Sequence, residues 1–333
     1  MILIRADANE NIGSGHVMRC LSIANALVRK EEKVLFITAD HKADKLIKQR
    51  GFERICLESD WSVMDQEIPV LRGIIERYKP SLLLIDSYYV TEYYFIELGR
   101  LIKTAYIDDL NEKCWSVNYL INYNIYSTCL DYSKYNRSKT ELILGTENAP
   151  LRDEFRRIEQ HAIKNTIEEI LVSAGGSDPE KITERLIENV CPKWPAIRFH
   201  FVVGSLNPRI NGIKKLKKNN IVLHINEKNM SALMKNCDVA IAAAGSTLYE
   251  LCACGVPTLT YTLADNQLAA AKEFNRRGIM INAGDCRGNE RFASGLNEIL
   301  EILDKEKRLR LSINMQTLVD GCGADRIAEK LLR

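Results

Sequence analysis

Ile2-Leu3-Ile4-Arg5-Ala6-Asp7-Ala8-Asn9-Glu10-Asn11-Ile12-Gly13-Ser14-Gly15-His16 opens the chain and decides its fold class. Residues 2–6 are a short apolar run, and the polar stretch after them holds two glycines. From 16 to 30 the apolar residues Val17, Cys20, Leu21, Ala24, Leu27 and Val28 recur close to i, i+3, i+4, i+7. A strand, a tight turn and an amphipathic helix follow from that pattern, and a second apolar run at 33–38 completes a βαβ unit. The alternation continues with strand signals at 82–86, 104–108, 119–122 and 141–144, and a helix at 68–78 that stops before Pro80. Leu82-Leu83-Leu84-Ile85-Asp86 is continuous rather than alternating, as a parallel strand buried on both faces should be.

The same alternation restarts after the polar, mixed-charge stretch 152–165, with strand signals at 169–173, 198–203, 221–224, 238–242 and 257–261. Residues 290–333 read as helical throughout. At roughly 150 residues per domain, 333 residues predict about two domains. The expected architecture is α/β: two Rossmann-like parallel-sheet domains facing each other across a cleft, at 1–155 and 156–310. Residues 311–333 form a C-terminal helix able to pack back on the first domain.

Composition narrows the function. Lys plus Arg is 46 and Asp plus Glu is 44, a formal charge of +2, which gives no electrostatic case for nucleic acid or an anionic membrane surface as the main partner. No apolar run reaches the roughly 18 residues that span a bilayer, so stable membrane insertion is not expected. The N-terminus carries charge too early for a signal peptide, and the ten scattered cysteines fit free thiols in a cytoplasmic protein. None of the five histidines lies near a cysteine pair at zinc spacing, so no structural metal and no cofactor are expected.

In parallel sheets ligands meet the residues just beyond the strand ends. After the first strand, Gly13 and Gly15 permit a tight turn and close ligand approach, and His16 begins the next helix. The positive helix end there favours a neutral imidazole able to accept a proton. A nicotinamide fingerprint fails, because Gly13 and Gly15 are followed by Met18 and not a third glycine. The simpler reading is a tight turn with a capping histidine.

Ala243-Ala244-Gly245-Ser246-Thr247-Leu248-Tyr249-Glu250 offers a turn, hydroxyl donors and a helix N-terminus, the parts of a phosphate cradle. Glu250 fits either a capping box or a ribose diol. Ala174-Gly175-Gly176-Ser177-Asp178-Pro179 has the same chemistry, or is a helix cap with Pro179 in the first turn. Asp265-Asn266-Gln267 suits sugar hydroxyls and acetamido groups, or caps a helix. Asp86-Ser87-Tyr88 and Asp108-Asp109 end strands of the first half. Adjacent carboxylates rarely face one point, so loop capping is the favoured role of Asp108-Asp109. Lys214 to Lys218 reads as a solvated basic face, and Cys252 and Cys254 as core. His161, His200 and His224 have no partner pattern.

Taken together, Ile4-Arg5-Ala6-Asp7, Ile12-Gly13-Ser14-Gly15-His16, Ile85-Asp86-Ser87-Tyr88, Asp108-Asp109, Leu120-Ile121-Asn122-Tyr123-Asn124, Leu151-Arg152-Asp153-Glu154-Phe155, Gly175-Gly176-Ser177-Asp178 and Asn266-Gln267 carry a resemblance. The chain resembles the nucleotide-sugar hydrolases of pseudaminic acid biosynthesis, the PseG family of the GT-B group, whose motifs spore-coat polysaccharide proteins share. Gly245 to Gln267 also looks like the donor site of MurG-type glycosyltransferases.

The resemblance implies metal-independent hydrolysis of UDP-linked 2,4-diacetamido-2,4,6-trideoxy-L-altrose at its anomeric carbon. It implies that Gly245, Ser246 and Thr247 hold the diphosphate, Glu250 the ribose, and the backbone near Ile225 the uracil. His16 matches the catalytic histidine, and Tyr88 and Asn266 match positions lining the sugar. Asp7, Gly13, Gly15, Gly175, Gly176 and Gln267 complete the expected substrate-binding set. A UDP leaving group needs charge stabilisation more than a proton donor, so a single base on the opposite face suffices and inversion is expected. The rivals are a glycosyltransferase in which His16 activates an acceptor hydroxyl, a non-catalytic nucleotide-sugar sensor, and, weakest, a dehydrogenase.

Overall fold

The computed structural model describes all residues except Asn11, Ser177, Ser205, Leu206 and Lys217. Of the residues quoted above, Asn11, Ser177 and Lys217 therefore lie outside the described residues. The chain divides into two compact units, Met1–Asp153 with Cys322–Arg333, and Glu154–Gly321. The sequence expectation had placed the boundaries after 155 and 310, so 311–321 belong to the second unit and 322–333 to the first.

The first unit runs β1 (Ile2–Ala6), α1 (Gly15–Val28), β2 (Val34–Thr38), α2 (Asp44–Gln49), β3 (Glu53–Cys56), α3 (Ile68–Tyr78), β4 (Leu82–Asp86), α4 (Glu92–Gly99), β5 (Lys103–Ile107), β6 (Tyr119–Asn122) and β7 (Glu141–Leu144). Its seven strands lie in the order β3-β2-β1-β4-β5-β6-β7, every pair parallel. β1 and β4 are buried along their whole length, which is why their sequences are unbroken apolar runs. One face of the sheet packs Leu3, Ile37, Leu83 and Ile85 against Leu71 of α3 and Phe95 of α4.

The second unit repeats the plan with β8 (Glu169–Ser173), α5 (Ile182–Asn189), β9 (Arg198–Val203), α6 (Ile210–Ile213), β10 (Ile221–Ile225), α7 (Met230–Lys235), β11 (Val239–Ala243), α8 (Thr247–Cys254), β12 (Thr258–Thr262), α9 (Leu268–Arg276), β13 (Ile281–Asp285), α10 (Phe292–Glu301) and α11 (Lys305–Leu318). Its parallel sheet has the order β10-β9-β8-β11-β12-β13. Ile170, Phe199, Ile241 and Leu259 meet Leu296 of α10 in its core.

A last helix, α12 (Gly323–Leu331), belongs to the first unit and packs on α1. Its attachment includes an Arg29–Asp325 ion pair at 2.6 Å and a Lys30–Glu329 pair at 3.0 Å. The stretch 290–333, expected to be helical throughout, is thus three helices. Asp304 caps α11 by accepting from the Lys307 N–H at 2.8 Å, and Gly321 at φ +75° turns the chain before α12. Two strands lack an expectation from sequence, β3 and β13, and both are sheet edges. Among the described residues, no helix is long and apolar enough to cross a membrane.

Candidate functional site

In both sheets the strand order reverses direction at one place, β1/β4 and β8/β11, and ligands of such folds bind beyond the carboxyl ends of the strands there. Of the residues singled out from sequence, Gly13, Gly15, His16, Tyr88, Gly175, Gly176 and Gly245 to Glu250 follow these strands, while Asp108-Asp109, Ile225 and Asn266-Gln267 follow or end β5, β10 and β12.

Beyond β1, Asn9 and Gly13 exchange backbone hydrogen bonds, and the Ile12 N–H donates to Asn9 Oδ1 at 3.0 Å. Gly13 closes this turn at φ +72°, where a side chain would be strained. The turn delivers His16 to the second position of α1. His16 is buried, and its Nδ1 lies 2.6 Å from Oδ1 of Asp86, the last residue of β4. A carboxylate only accepts, so Nδ1 carries the proton. In the neutral ring Nε2 then holds the lone pair.

One helical turn on, Arg19 grips the same carboxylate, donating from Nε to Oδ2 and from Nη2 to Oδ1, each at 2.6 Å. Its Nη1 reaches Asp109 Oδ2 at 2.9 Å and the Tyr123 hydroxyl at 3.0 Å. Asp109 also accepts from the Tyr88 hydroxyl at 2.7 Å and from Asn124 Nδ2 at 2.8 Å. The Tyr88 ring meets the His16 ring edge-on, with centroids 4.9 Å apart.

The ends of β1, β4, β5 and β6 are thus tied into one network around Asp86 and Asp109. Burial opposes the charge on Asp86, but Arg19 and then His16 outweigh it and hold the carboxyl well below the usual carboxylate range. Burial, reinforced by Asp109, pushes the Tyr88 phenol well up, so at neutral pH it remains a donor. Asp86, ionised at neutral pH, fixes the ring orientation and stabilises an imidazolium when His16 takes a proton, the part the aspartate plays in a Ser-His-Asp triad.

The adjacent carboxylates part company: loop capping describes Asp108, whereas Asp109 joins the Arg19 network. Asp108 turns inward, accepting from the Leu110 and Asn111 N–H groups at 2.9 and 3.0 Å and from Trp115 Nε1 at 3.1 Å. Asp7 is buried as well. It pairs with Arg5 and accepts from the Ala39 N–H at 2.7 Å. Arg5 in turn forms a two-pronged pair with Glu67, at 2.8 and 2.9 Å, to which Tyr94 donates at 2.6 Å. Both Asp7 oxygens are therefore spent on bracing the ends of β1 and β2.

In the second unit, Gly245 and Ser246 are exposed beyond β11, and Ser246 makes no side-chain cap on α8. The Leu248 and Tyr249 N–H groups donate to the Gly245 and Ser246 carbonyls, each at 3.1 Å, so what this end offers an anion is the Ser246 and Thr247 hydroxyls and the positive end of the helix. Thr247 and Glu250 sit half-buried in the first turn, and Ile225 ends β10. Beyond β8, Gly175 (φ +82°) and Gly176 are exposed.

Asp178 caps α5 through the Ile182 and Thr183 N–H groups at 2.8 and 3.1 Å, so Pro179 precedes that helix and is not in its first turn. Gly204, after β9, was not anticipated. A Cβ there would lie 2.6 Å from the Gly176 carbonyl oxygen, so only glycine lets the two turns approach this closely. Beyond β12, Asn266 is exposed, Gln267 accepts from the Leu263 N–H at 3.0 Å, and Asp265 pairs with Arg287 at 2.7 Å.

Two further corrections concern arginine and histidine. Arg19 went unread, although His16 and Arg19 stand at i, i+3 and so share one helix face, a usable signal. His200 and His224, expected to lack partners, are joined at 2.9 Å, and His200 Nε2 meets Glu169 at 2.7 Å. A concavity of 610 Å³ near α5 and α10, lined by Arg185, Lys193 and Asn289 among others, contains none of the candidate residues.

No family model matches the chain. Crystalline MurG of Acinetobacter baumannii superposes with a TM-score of 0.73 over 99% of both chains, at 11% identity. The protein has the GT-B fold. By sequence this GT-B chain is 27% identical to the spore coat polysaccharide biosynthesis protein SpsG of Bacillus subtilis, over 97% of its own length and 95% of SpsG.

It is 28% identical to the UDP-2,4-diacetamido-2,4,6-trideoxy-beta-L-altropyranose hydrolase of Campylobacter jejuni, over 75% of this chain and 86% of that one. It is also 27% identical to the uncharacterized protein MJ1062 of Methanocaldococcus jannaschii over 80% of its length, but spans only 56% of that relative. The GT-B chain is thus similar in sequence both to SpsG and to the Campylobacter hydrolase.

Proposed function

We propose that this protein hydrolyses a UDP-linked sugar at its anomeric carbon, releasing UDP and the free sugar with inversion. A 2,4-diacetamido-2,4,6-trideoxy-L-altrose, or a close relative of it, is the sugar, as in pseudaminic acid biosynthesis. The observation that carries the reading is His16: its Nδ1–H is committed to ionised Asp86, so Nε2 is the nitrogen that can accept a proton from water. Water attacks the anomeric carbon as its proton passes to Nε2, and the carbon–oxygen bond to the diphosphate breaks. Such a base contributes on the order of 10²–10⁴-fold. The departing UDP carries its own negative charge. The start of α8, with Gly245, Ser246 and Thr247, would supply hydroxyl donors and the positive end of the helix for it. Glu250 would take the ribose, Ile225 the base, and Tyr88, Asn266 and Gln267 the sugar. The name and coverage of the Campylobacter hydrolase support the substrate class.

Incubation with a panel of UDP-diacetamido-sugars and no acceptor, followed by proton NMR, tests this. Release of UDP together with a free sugar of inverted anomeric configuration is expected, and loss of turnover with retained UDP binding in His16→Asn. Turnover unchanged in that variant rejects His16 as base. The GT-B likeness to MurG favours one second reading, transfer to an acceptor hydroxyl. That reading predicts UDP release only once an acceptor is added.

A further inference from the structure

β2 and β3 pair in parallel with Thr38 opposite Cys56, so the residues leaving the two strands run side by side at the edge of the first sheet. His41 from the first exit, and Cys56 and Glu58 from the second, converge there. One nitrogen, one sulfur and one carboxylate oxygen, one from each residue, all lie within 4.8 Å of one another. His41 Nε2 is 2.7 Å from Glu58 Oε1. The Cys56 thiol points back to the Ala39 carbonyl at 3.6 Å. On the far side of the imidazole, Nδ1 lies 3.0 Å from Asp44 Oδ2 and 2.7 Å from Arg54 Nη2, and Arg54 also pairs with the Asp44 carboxylate.

From this geometry we infer a binding site for a zinc-class divalent cation, ligated by His41 Nε2, Cys56 Sγ and Glu58 and open at its fourth position. A thiolate with an imidazole selects a borderline-soft ion over magnesium or calcium. Bond lengths of about 2.0–2.3 Å in a tetrahedron put the ligand atoms roughly 3.3–3.8 Å apart, so His41 and Glu58 need to open by under about 1 Å. Both side chains are exposed and free to do so, while Cys56 on the strand end is the fixed point.

With the proton on Nδ1, Asp44 accepts it and leaves Nε2 free to bind, the part a carboxylate plays beside metal-bound histidines, which requires Arg54 Nη2 to turn to Asp44 alone. Arg54 neutralises Asp44, which leaves the thiolate and Glu58 to balance the dication. The ion would clamp the loop after β2 to the loop after β3. The Ala39 N–H of that first loop already holds Asp7. No sequence motif announces the site, because its ligands are separated by 15 and 2 positions and meet only through strand pairing. It is independent of the reading of His16.

The test is a titration of the full chain, under a phosphine reductant, with Co²⁺ and then Zn²⁺. Expected are one equivalent bound more tightly than about 10 µM, a sulfur-to-cobalt charge-transfer band, and tetrahedral visible bands that Zn²⁺ abolishes. Cys56→Ser should remove the charge-transfer band, and His41→Ala should weaken binding at least tenfold. Cys114→Ser/Cys129→Ser, which removes the two exposed thiols, should change neither. No charge-transfer band, or one that survives both Cys56→Ser and His41→Ala, would overturn the assignment. Circular dichroism confirms that each variant is folded.

Discussion

Replacing Asp86 with asparagine changes one atom and one charge, at the point where His16 and Arg19 meet. The side chain is 1% exposed and accepts three short bonds, each at 2.6 Å, from His16 Nδ1, Arg19 Nε and Arg19 Nη2. An asparagine oxygen can satisfy one side only, and its NH₂ would face the donors on the other. Removing one partner of a buried charge pair costs about 3–5 kcal/mol. Arg19 keeps Asp109 at 2.9 Å, so the lower end, about 3 kcal/mol, is expected.

The native carboxyl titrates well below the usual range, whereas the unfolded one titrates near 3.9. The contribution is therefore complete above about pH 4 and fades as the pH falls further towards the native value. Urea unfolding at pH 7 and pH 3 should show a gap between wild type and variant at the first pH and a smaller one at the second. With a UDP-sugar substrate, turnover should fall by about 10²–10⁴-fold, because the imidazole loses the group that sets its tautomer. A variant within about 0.5 kcal/mol of wild type at pH 7, with turnover intact, would refute the reasoning.

Three other substitutions probe separate parts of the same unit. Glu67→Ala leaves fully buried Arg5 with only Asp7, and should cost about 3–5 kcal/mol in urea unfolding; a loss under about 1 kcal/mol would show that Arg5 does not depend on it. Tyr88→Phe deletes the 2.7 Å bond to Asp109 but keeps the edge-on contact with His16. Stability should drop by only about 1 kcal/mol, so a larger effect on turnover would place the hydroxyl on the substrate. Gly323→Ala puts a Cβ 2.3 Å from the Ala149 carbonyl oxygen, and a loss of more than about 2 kcal/mol, read by thermal unfolding, is expected.

The central strands were legible because burial on both faces leaves an apolar run with no other reading, as in β1 and β4. Of the four edge strands, β7 and β10 were read and β3 and β13 were not. Glu53-Arg54-Ile55-Cys56 opens on two charged residues and Ile281-Asn282-Ala283-Gly284-Asp285 is broken by Asn282 and Gly284, so neither presents an apolar run. β13 also shifts register against β12 between Thr260 and Thr262, which breaks any alternation.

The glycine turns and His16 could be read because their chemistry is local. The network around them could not, since Asp86, Asp109 and Tyr123 reach Arg19 only through the order of the strands. Asp7 shows the opposite failure. It sits at a strand end with the right chemistry, yet the sheet consumes it for bracing.

The return of α12 to α1 bears on synthesis. The first unit begins at residue 1, but one of its helices is made only after the whole second unit has been translated. At roughly 5–20 residues per second, α1 waits about 15–60 s with the surface destined for Ile327, Ala328 and Leu331 exposed to water. During that interval the amino-terminal unit lacks one of its packing helices, whereas every residue of the carboxy-terminal unit has been made once Gly321 is added.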